Sequence, residues 1–377
     1  MENSLLTEAE KIQQQLINHR RWLHQHAETG FDLPKTKAYI KSQLEQMGLN
    51  PQDCGKIGII ADISGTKPGK TILLRADMDA LPIREQTGVP YACPDGNMHA
   101  CGHDMHAATL FGTLCALKAN PDFAGTLFGL FQPGEECNPG GASLVLKEHP
   151  FEDYEVVACI GEHVEWQLEV GTIGLKAGKY MASSDELRFT VEGAGGHGAM
   201  RHLLKDPIAA AASLVRSLLA LNDTEQVLSI GHIEGRGATN VVPDKVYLEG
   251  TLRTFSEENR RALHHEIARR VAENDTLHGT STRFDLSHGY PCVVNDQQLV
   301  ELADALARQE GLHTVPLELR FTAEDFGFYT LHYPSLFFRL GVGKAAGRSH
   351  TSLFNPDERA LDIGSKLMQQ LVFTLLK

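Results

Sequence analysis

The stretch Thr126-Leu-Phe-Gly-Leu-Phe131-Gln132-Pro-Gly-Glu135-Glu136 decides how the chain is read. Thr126–Phe131 is short and almost continuously apolar, the signature of a strand buried on both faces by helices. Two adjacent carboxylates follow just past its end, where open α/β sheets place their sites. Ile57–Ile63, Thr71–Leu74 and Val156–Ile160 read the same way. Helical patterns surround them at Leu5–His26, Thr36–Met47 and Asp104–Lys118. The alternation predicts an α/β domain with a mostly parallel sheet flanked by helices.

The middle of the chain has a different period. Leu187, Phe189 and Val191 alternate with Arg188, Thr190 and Glu192, and Val246, Leu248 and Leu252 alternate with Tyr247, Glu249 and Arg253. Such alternation marks a sheet with one wet face. One helix begins at Asp206-Pro207, an N-cap followed by a favourable first residue. A second follows Ser256, with Leu263, Ile267 and Val271 on one face. Residues 181–288 are therefore expected to form an inserted α+β domain with an antiparallel sheet and two helices. Residues 1–180 and 289–377 would form the discontinuous α/β domain around it. Beyond the insert, a helix is expected near Asn295 with Gln298 closing a capping box. A strand is expected at Ser335–Leu340 and a terminal helix at Ala360–Leu376.

Composition narrows the class. The 377 residues include 42% apolar ones, ordinary for a globular protein, and a prior of about 150 residues per domain gives two to three domains. Acidic residues number 48 against 35 basic, a net charge of −13. That excess disfavours nucleic acid and anionic membrane as partners. No apolar run approaches a membrane span, and Met1–Glu10 lacks the basic and apolar regions of a leader. Seven scattered cysteines suit a reducing cytoplasm.

Polar donors gather after the apolar runs. His99-Ala-Cys101-Gly-His103-Asp104-Met-His106 precedes a helix, and a Cys and a His separated by Gly can turn thiolate and imidazole toward one divalent ion. A buried Cys with capping polar residues is the blander reading of that segment. Glu135 and Glu136 point different ways, so one can bind metal while the other serves as general base. A solvated acidic turn is the alternative there. His163, Arg75-Ala-Asp77-Met-Asp79 and His350 lie in further loops or strand ends. Several donor-bearing loops along one sheet edge are harder to dismiss than any single one.

Seven strings in order carry a resemblance. They are Arg75-Ala-Asp-Met-Asp-Ala-Leu-Pro82, Met98-His-Ala-Cys-Gly-His-Asp104, Phe131-Gln-Pro-Gly-Glu-Glu136, Gly195-Gly-His-Gly-Ala199, Asn240-Val-Val-Pro243, Glu324-Asp-Phe326 and His350 with Phe354 and Asp357-Glu358. Together they resemble the dinuclear-metal aminoacylase/carboxypeptidase family, in its amidohydrolase branch with hippurate and auxin-conjugate hydrolases. The resemblance runs from about Arg20 to the C-terminus. It implies a metal-dependent amidohydrolase cleaving N-acyl amino acids or small peptide-like conjugates with a metal-activated water. Two divalent ions, zinc or manganese, are implied. Cys101, His103, Glu136, His163 and His350 match the ligands, the thiolate being able to bridge. Glu135 matches the general base, and Asp77 a residue that orients ligands from outside. Arg75 stands where other branches have a His ligand.

The resemblance also makes the inserted domain a lid and a dimerisation surface, so a homodimer or dimer-based oligomer is expected. His197 matches a lid histidine that stabilises the oxyanion. Asn240 and Arg253 match lid residues that hold the substrate carboxylate; alone, Arg253 reads as a surface ion pair. Two departures stand out: Gly134 replaces the usual Ala, and Glu165-Trp166 follows His163 in place of the usual small residue and Pro. His99 and His106 read as capping or supporting residues. Two rival functions remain at this point: a hydrolase with Cys101 as nucleophile, and a non-catalytic metal-binding protein on a hydrolase scaffold. The first leaves Glu135, Glu136, His163 and His350 unexplained, and the second leaves a base without work.

Overall fold

A computed structural model describes residues 7–55 and 57–377. Leu5 and the leader reading of residues 1–6 lie outside them. In chain order the first stretch contains α1 (Glu8–Gln25), α2 (Pro34–Gln46), β1 (Gln52–Cys54), β2 (Gly58–Ser64), β3 (Lys67–Asp77), α3 (His103–Ala119), β4 (Ala124–Gln132), α4 (Gly141–Leu146), β5 (Val156–Glu165) and β6 (Thr172–Leu175). The middle adds β7 (Gly178–Met181), β8 (Asp185–Glu192), β9 (Gly196–His197), α5 (Pro207–Leu219), β10 (Gln226–Glu234), β11 (Val241–Val242), β12 (Lys245–Thr254), α6 (Glu257–His278) and β13 (Ser281–His288). The last stretch adds β14 (Val293–Asn295), α7 (Gln297–Gln309), β15 (His313–Pro316), α8 (Gly327–Thr330), β16 (Ser335–Gly341) and α9 (Ala360–Leu375).

Two units result. The first comprises Met1–Gly178, Val294–Glu318 and Phe328–Lys377. Its eight-stranded sheet runs β1-β2-β4-β3-β5-β16-β6-β15. The central run β4-β3-β5-β16 is parallel, while β1, β2 and the β16–β6 pair are antiparallel. Ile72, Leu74, Leu127, Phe131, Ile160 and Phe338 pack with α3 and α9 in one core cluster. Helix α3 is apolar nearly all round and buried from His103 through Leu114, as a helix covered on every side requires.

Several expected limits shift. Val156–Ile160 looked complete because Glu162 and His163 break the apolar run, yet β5 continues to Glu165. Its last residues pair in parallel with β16, His163 opposite Arg339, so ladder bonding overrides local polarity. Likewise β3 reaches Asp77 and carries Arg75 within the sheet. The helix expected near Asn295 starts at Gln297, because Asp296 is the cap and accepts from the N–H groups of Gln298 and Leu299. No capping box forms with Gln298.

The second unit comprises Lys179–Val293 and Leu319–Gly327. Its antiparallel sheet runs β10-β12-β8-β13. Leu187, Phe189 and Val191 of β8 are buried with Ala210, Leu214, Ile267 and Val271 of α5 and α6, while Arg188 and Glu192 face out. Asp206 caps α5 through its carboxylate. Ser256 caps α6, which Gly279 ends in the left-handed conformation. Among the described residues no helix is long and apolar enough to cross a membrane.

Candidate metal centre

The polar residues that close β3, β4 and β5 lie at the C-terminal edge of the parallel run. Asp77 ends β3, Glu135 and Glu136 follow β4, and His163 lies near the end of β5. The loop before α3 supplies Cys101, and His103 is the first residue of the helix itself. Gly102 between them adopts φ 91°, and a Cβ there would approach Val164 Cγ2 to 2.5 Å. Glycine is therefore required both by conformation and by space. His350 is also left-handed, at φ 60°, a conformation costing an L-residue about 1–2 kcal/mol. Its N–H donates to Ala100 O at 2.8 Å, fixing it to the Cys101 loop.

These side chains converge as two triads that share one sulfur. Cys101, His103 and His163 form the first, and Cys101, Glu136 and His350 the second. Cys101 Sγ lies 3.3 Å from His163 Nε2 and 3.3 Å from His350 Nε2. His350 Nε2 stands 3.2 Å from Glu136 Oε1. Glu135 Oε2 lies 3.9 Å from His103 Nε2. The structure thus gathers all five candidate ligands beside the candidate base.

The donor chemistry fits divalent ions. His103 is fully buried with neither ring nitrogen in a well-formed hydrogen bond among the described residues, its Nδ1 lying only within 3.4 Å of Asp79, and Glu136 Oε1 meets only the His350 ring. Buried polar atoms are rarely left so. The Nδ1–H of His163 donates to Val164 O at 2.7 Å. That leaves Nε2 with its lone pair on the sulfur side, as a ligand needs. Burial holds His163 well below the ordinary imidazole range, keeping it neutral. Burial also pushes the Cys101 thiol up to about 12, and a neighbouring cation is what converts such a thiol to a ligand.

His106 is close to the cluster but already committed. Its Nε2 accepts the N–H of Val164 at 3.0 Å, so Nδ1 carries the proton, donated to Asp77 Oδ1 at 2.5 Å. It supports β5 rather than offering a free donor. Asp77 also meets Arg75 Nη1 at 2.7 Å. Although burial opposes it, the charges of His103 and Arg75 and the hydrogen bond from His106 hold Asp77 well below the usual carboxylate range. Arg75 Nε in turn donates to Gln132 Oε1.

Sequence reasoning named Asp79 within its string but gave it no role. It is 1% exposed, and its two oxygens accept the successive N–H groups of Glu135 and Glu136, each at 3.1 Å. Its Oδ1 also lies 3.4 Å from His103 Nδ1. Its position two residues after Asp77, in a strand-ending acidic string, was the available signal.

His197, Asn240 and Arg253 belong to the second unit. His197 on β9 pairs with Val241 on β11, and the N–H of Gly198 donates to Asn240 O at 2.8 Å, so one ribbon carries His197 and Asn240. Both are exposed. Arg253 sits on β12 opposite Val227, half-buried in the four-stranded sheet.

Known proteins share this architecture. The YXEP protein of Bacillus subtilis, described as a dinuclear metal binding peptidase, superposes with a TM-score of 0.87 at 35% identity, over 97% of this chain and 99% of that one. The N-acetylcysteine deacetylase of Bacillus subtilis is 37% identical over 373 residues, covering 96% of this chain and 97% of the relative. The N-acetyldiaminopimelate deacetylase of the same organism is 36% identical over 369 residues, 94% of this chain and 97% of the relative. Residues 73–374 match the profile of Peptidase family M20/M25/M40. With that span and those relatives, the chain belongs to Peptidase family M20/M25/M40.

Proposed function

We propose that this enzyme, a metal-dependent amidohydrolase, removes a short acyl group, acetyl first among candidates, from an N-acyl amino acid with a free carboxylate. The observation that carries the reading is the shared sulfur. Two ligand triads meet at Cys101, with the Glu135 carboxylate beside them. The deacetylase names of the relatives support the substrate class.

Cys101, His103 and His163 would hold one divalent ion, and Cys101, Glu136 and His350 a second. Thiolate and imidazole favour zinc, and the carboxylate admits manganese. Bound there, such ions acidify water and stabilise negative charge on oxygen. Glu135 takes the proton of the attacking water and returns it to the departing amine nitrogen. Asp79, holding the Glu135 and Glu136 N–H groups, fixes the directions of the two side chains. His197 donates to the carbonyl oxygen as it becomes negative. Asn240 and Arg253 grip the free carboxylate. In this reading residues 181–288 are the lid and dimerisation domain, 1–180 and 289–377 are catalytic, and the enzyme is a homodimer or a dimer-based oligomer. The free cysteines, a ligand thiol among them, suit the reducing cytoplasm.

The test is amide hydrolysis across N-acetyl, N-benzoyl and N-succinyl amino acids and dipeptides, with chelated protein and with zinc or manganese restored. Turnover that returns with metal and is lost by roughly 100-fold or more in Glu135→Gln supports the reading. Turnover indifferent to complete metal removal would instead favour Cys101 as nucleophile.

A further inference from the structure

Beside the metal loop lies a run of charge, buried at Arg20, His24 and Asp104, that none of the chemistry above uses. Arg20 and His24 are four residues apart on α1, on one face, and both are buried. Arg20 Nε lies 2.8 Å from Asp104 Oδ2, and His24 Nδ1 lies 2.8 Å from the same oxygen. The opposite nitrogen of the His24 ring, Nε2, lies 3.0 Å from Glu85 Oε2. Arg20 Nη1 donates to the Tyr91 hydroxyl at 2.8 Å and to Glu358 Oε1 at 3.3 Å. Arg21 holds both oxygens of Glu358.

The geometry fixes the state of the histidine. Both of its ring nitrogens face carboxylate oxygens, which only accept, and the one donor nearby, Arg20 Nη2, is farther from Nδ1 at 3.5 Å than Asp104 is at 2.8 Å, so both nitrogens donate. An imidazolium meets that demand. It also balances the group, with Arg20, Arg21 and His24 against Asp104, Glu85 and Glu358. Burial opposes the charge on His24, but the hydrogen bonds to Asp104 and Glu85 raise its pKa above the ordinary value. Burying such charges is costly, and apolar packing of the same volume often serves stability as well. A network of this kind therefore calls for a reason other than stability.

The reason lies in what the two carboxylates are attached to. Asp104 directly follows His103, in the first turn of α3. Glu85 precedes Gln86, whose N–H donates to Ser352 O at 2.8 Å, two residues beyond His350. One ring thus bridges the segment bearing Cys101 and His103 to the segment that braces His350. The crowding at Gly102 leaves the first of these segments little room to compensate. On the ligand assignment made above, we propose that His24 is a positioning residue: gripping Asp104 with one ring nitrogen and Glu85 with the other, it sets the spacing between the two metal-ligand segments without touching the metals.

Cobalt(II) titration of the metal-free full chain tests this, with affinity read by chelator competition and Cys101 ligation by the thiolate-to-cobalt charge-transfer band. His24→Phe keeps a flat ring and removes both donors. It should weaken cobalt about 10- to 100-fold and alter the band. Glu85→Gln is the conservative partner. A neutral His24 can then donate to Asp104 and accept from the new amide, so affinity should stay within about threefold of the unmutated protein. If both variants melt earlier but bind cobalt with unchanged affinity and band, the network is structural only and the proposal fails. If His24→Phe does not fold, Glu85→Ala decides. It should lose about fivefold or more in affinity where Glu85→Gln does not, and equal affinities overturn the proposal. A missing band in the unmutated protein would instead strike at Cys101 as a ligand, and this proposal would fall with it.

Discussion

Asp79 holds Glu135 by its backbone: the N–H of Glu135 donates to Asp79 Oδ1 at 3.1 Å, and the neighbouring oxygen takes the N–H of Glu136. The carboxylate thereby orients the candidate base and a candidate ligand together. Asp79→Asn turns one acceptor into a donor facing an N–H. It should lower kcat about 10- to 100-fold with KM changed by no more than about twofold. Steady-state kinetics on the metal-saturated enzyme checks this, and a loss confined to KM would remove Asp79 from that role.

The shared sulfur makes a prediction about stoichiometry. Cys101 belongs to both triads and His350 to one. After dialysis against metal-free buffer, Cys101→Ala should retain neither ion, while His350→Ala should retain one. Elemental analysis of folded protein decides, and equal retention in the two variants would contradict the bridging arrangement.

Arg253 lies half-buried on β12 with its guanidinium able to bind a carboxylate in two places. Arg253→Ala should reduce kcat/KM for N-acyl amino acids roughly 100-fold, the range of a charged hydrogen-bonded pair. Their carboxamide analogues should change little. Equal losses for acid and amide would rule out a carboxylate grip.

His19 gives the metal-free fold a pH signature. Its Nδ1 lies 2.8 Å from the Tyr39 hydroxyl, and the ring stacks on Phe111 at 4.7 Å. Burial lowers its pKa to about 4 from 6.5. The unfolded chain therefore takes up the proton first as pH falls. The stability that neutral His19 preserves is complete above pH 6.5 and is lost as pH drops toward 4, about 3 kcal/mol in all. His19→Phe should flatten the stability profile in that window, measured by urea unfolding at pH 7 and pH 4.5. An unchanged slope would refute the assignment.

The two strand patterns made much of the architecture legible. Leu127–Phe131 and Ile72–Leu74 are covered on both faces, so their apolar runs are continuous. Leu187, Phe189 and Val191 are covered on one, so they alternate. The end of β5 was hidden because its pairing with β16, far along the chain, outweighs the polarity of Glu162 and His163. Among site residues, Cys101, His103, Glu135 and Glu136 stand in short strings whose donor types are visible at once. Asp79 was hidden because its work is to bind backbone 56 and 57 residues away. In the sequence Arg20 and His24 stand only as polar positions within the Leu5–His26 helical pattern. Only the fold brings His24 to Asp104 and Glu85, 80 and 61 residues distant.

Placing both triads on Cys101 also gives the centre a single weak point. Sulfur is the one donor among the five that peroxide can carry to sulfenic or sulfinic acid, while imidazole and carboxylate persist under the same exposure. Oxidation of this one atom would release both ions together, so inactivation by oxidant should be all-or-none rather than graded. On the proposed ligand set, the same softness would make the centre a trap for cadmium or mercury. Its lifetime would then be tied to the reducing capacity of its surroundings as closely as to the supply of metal.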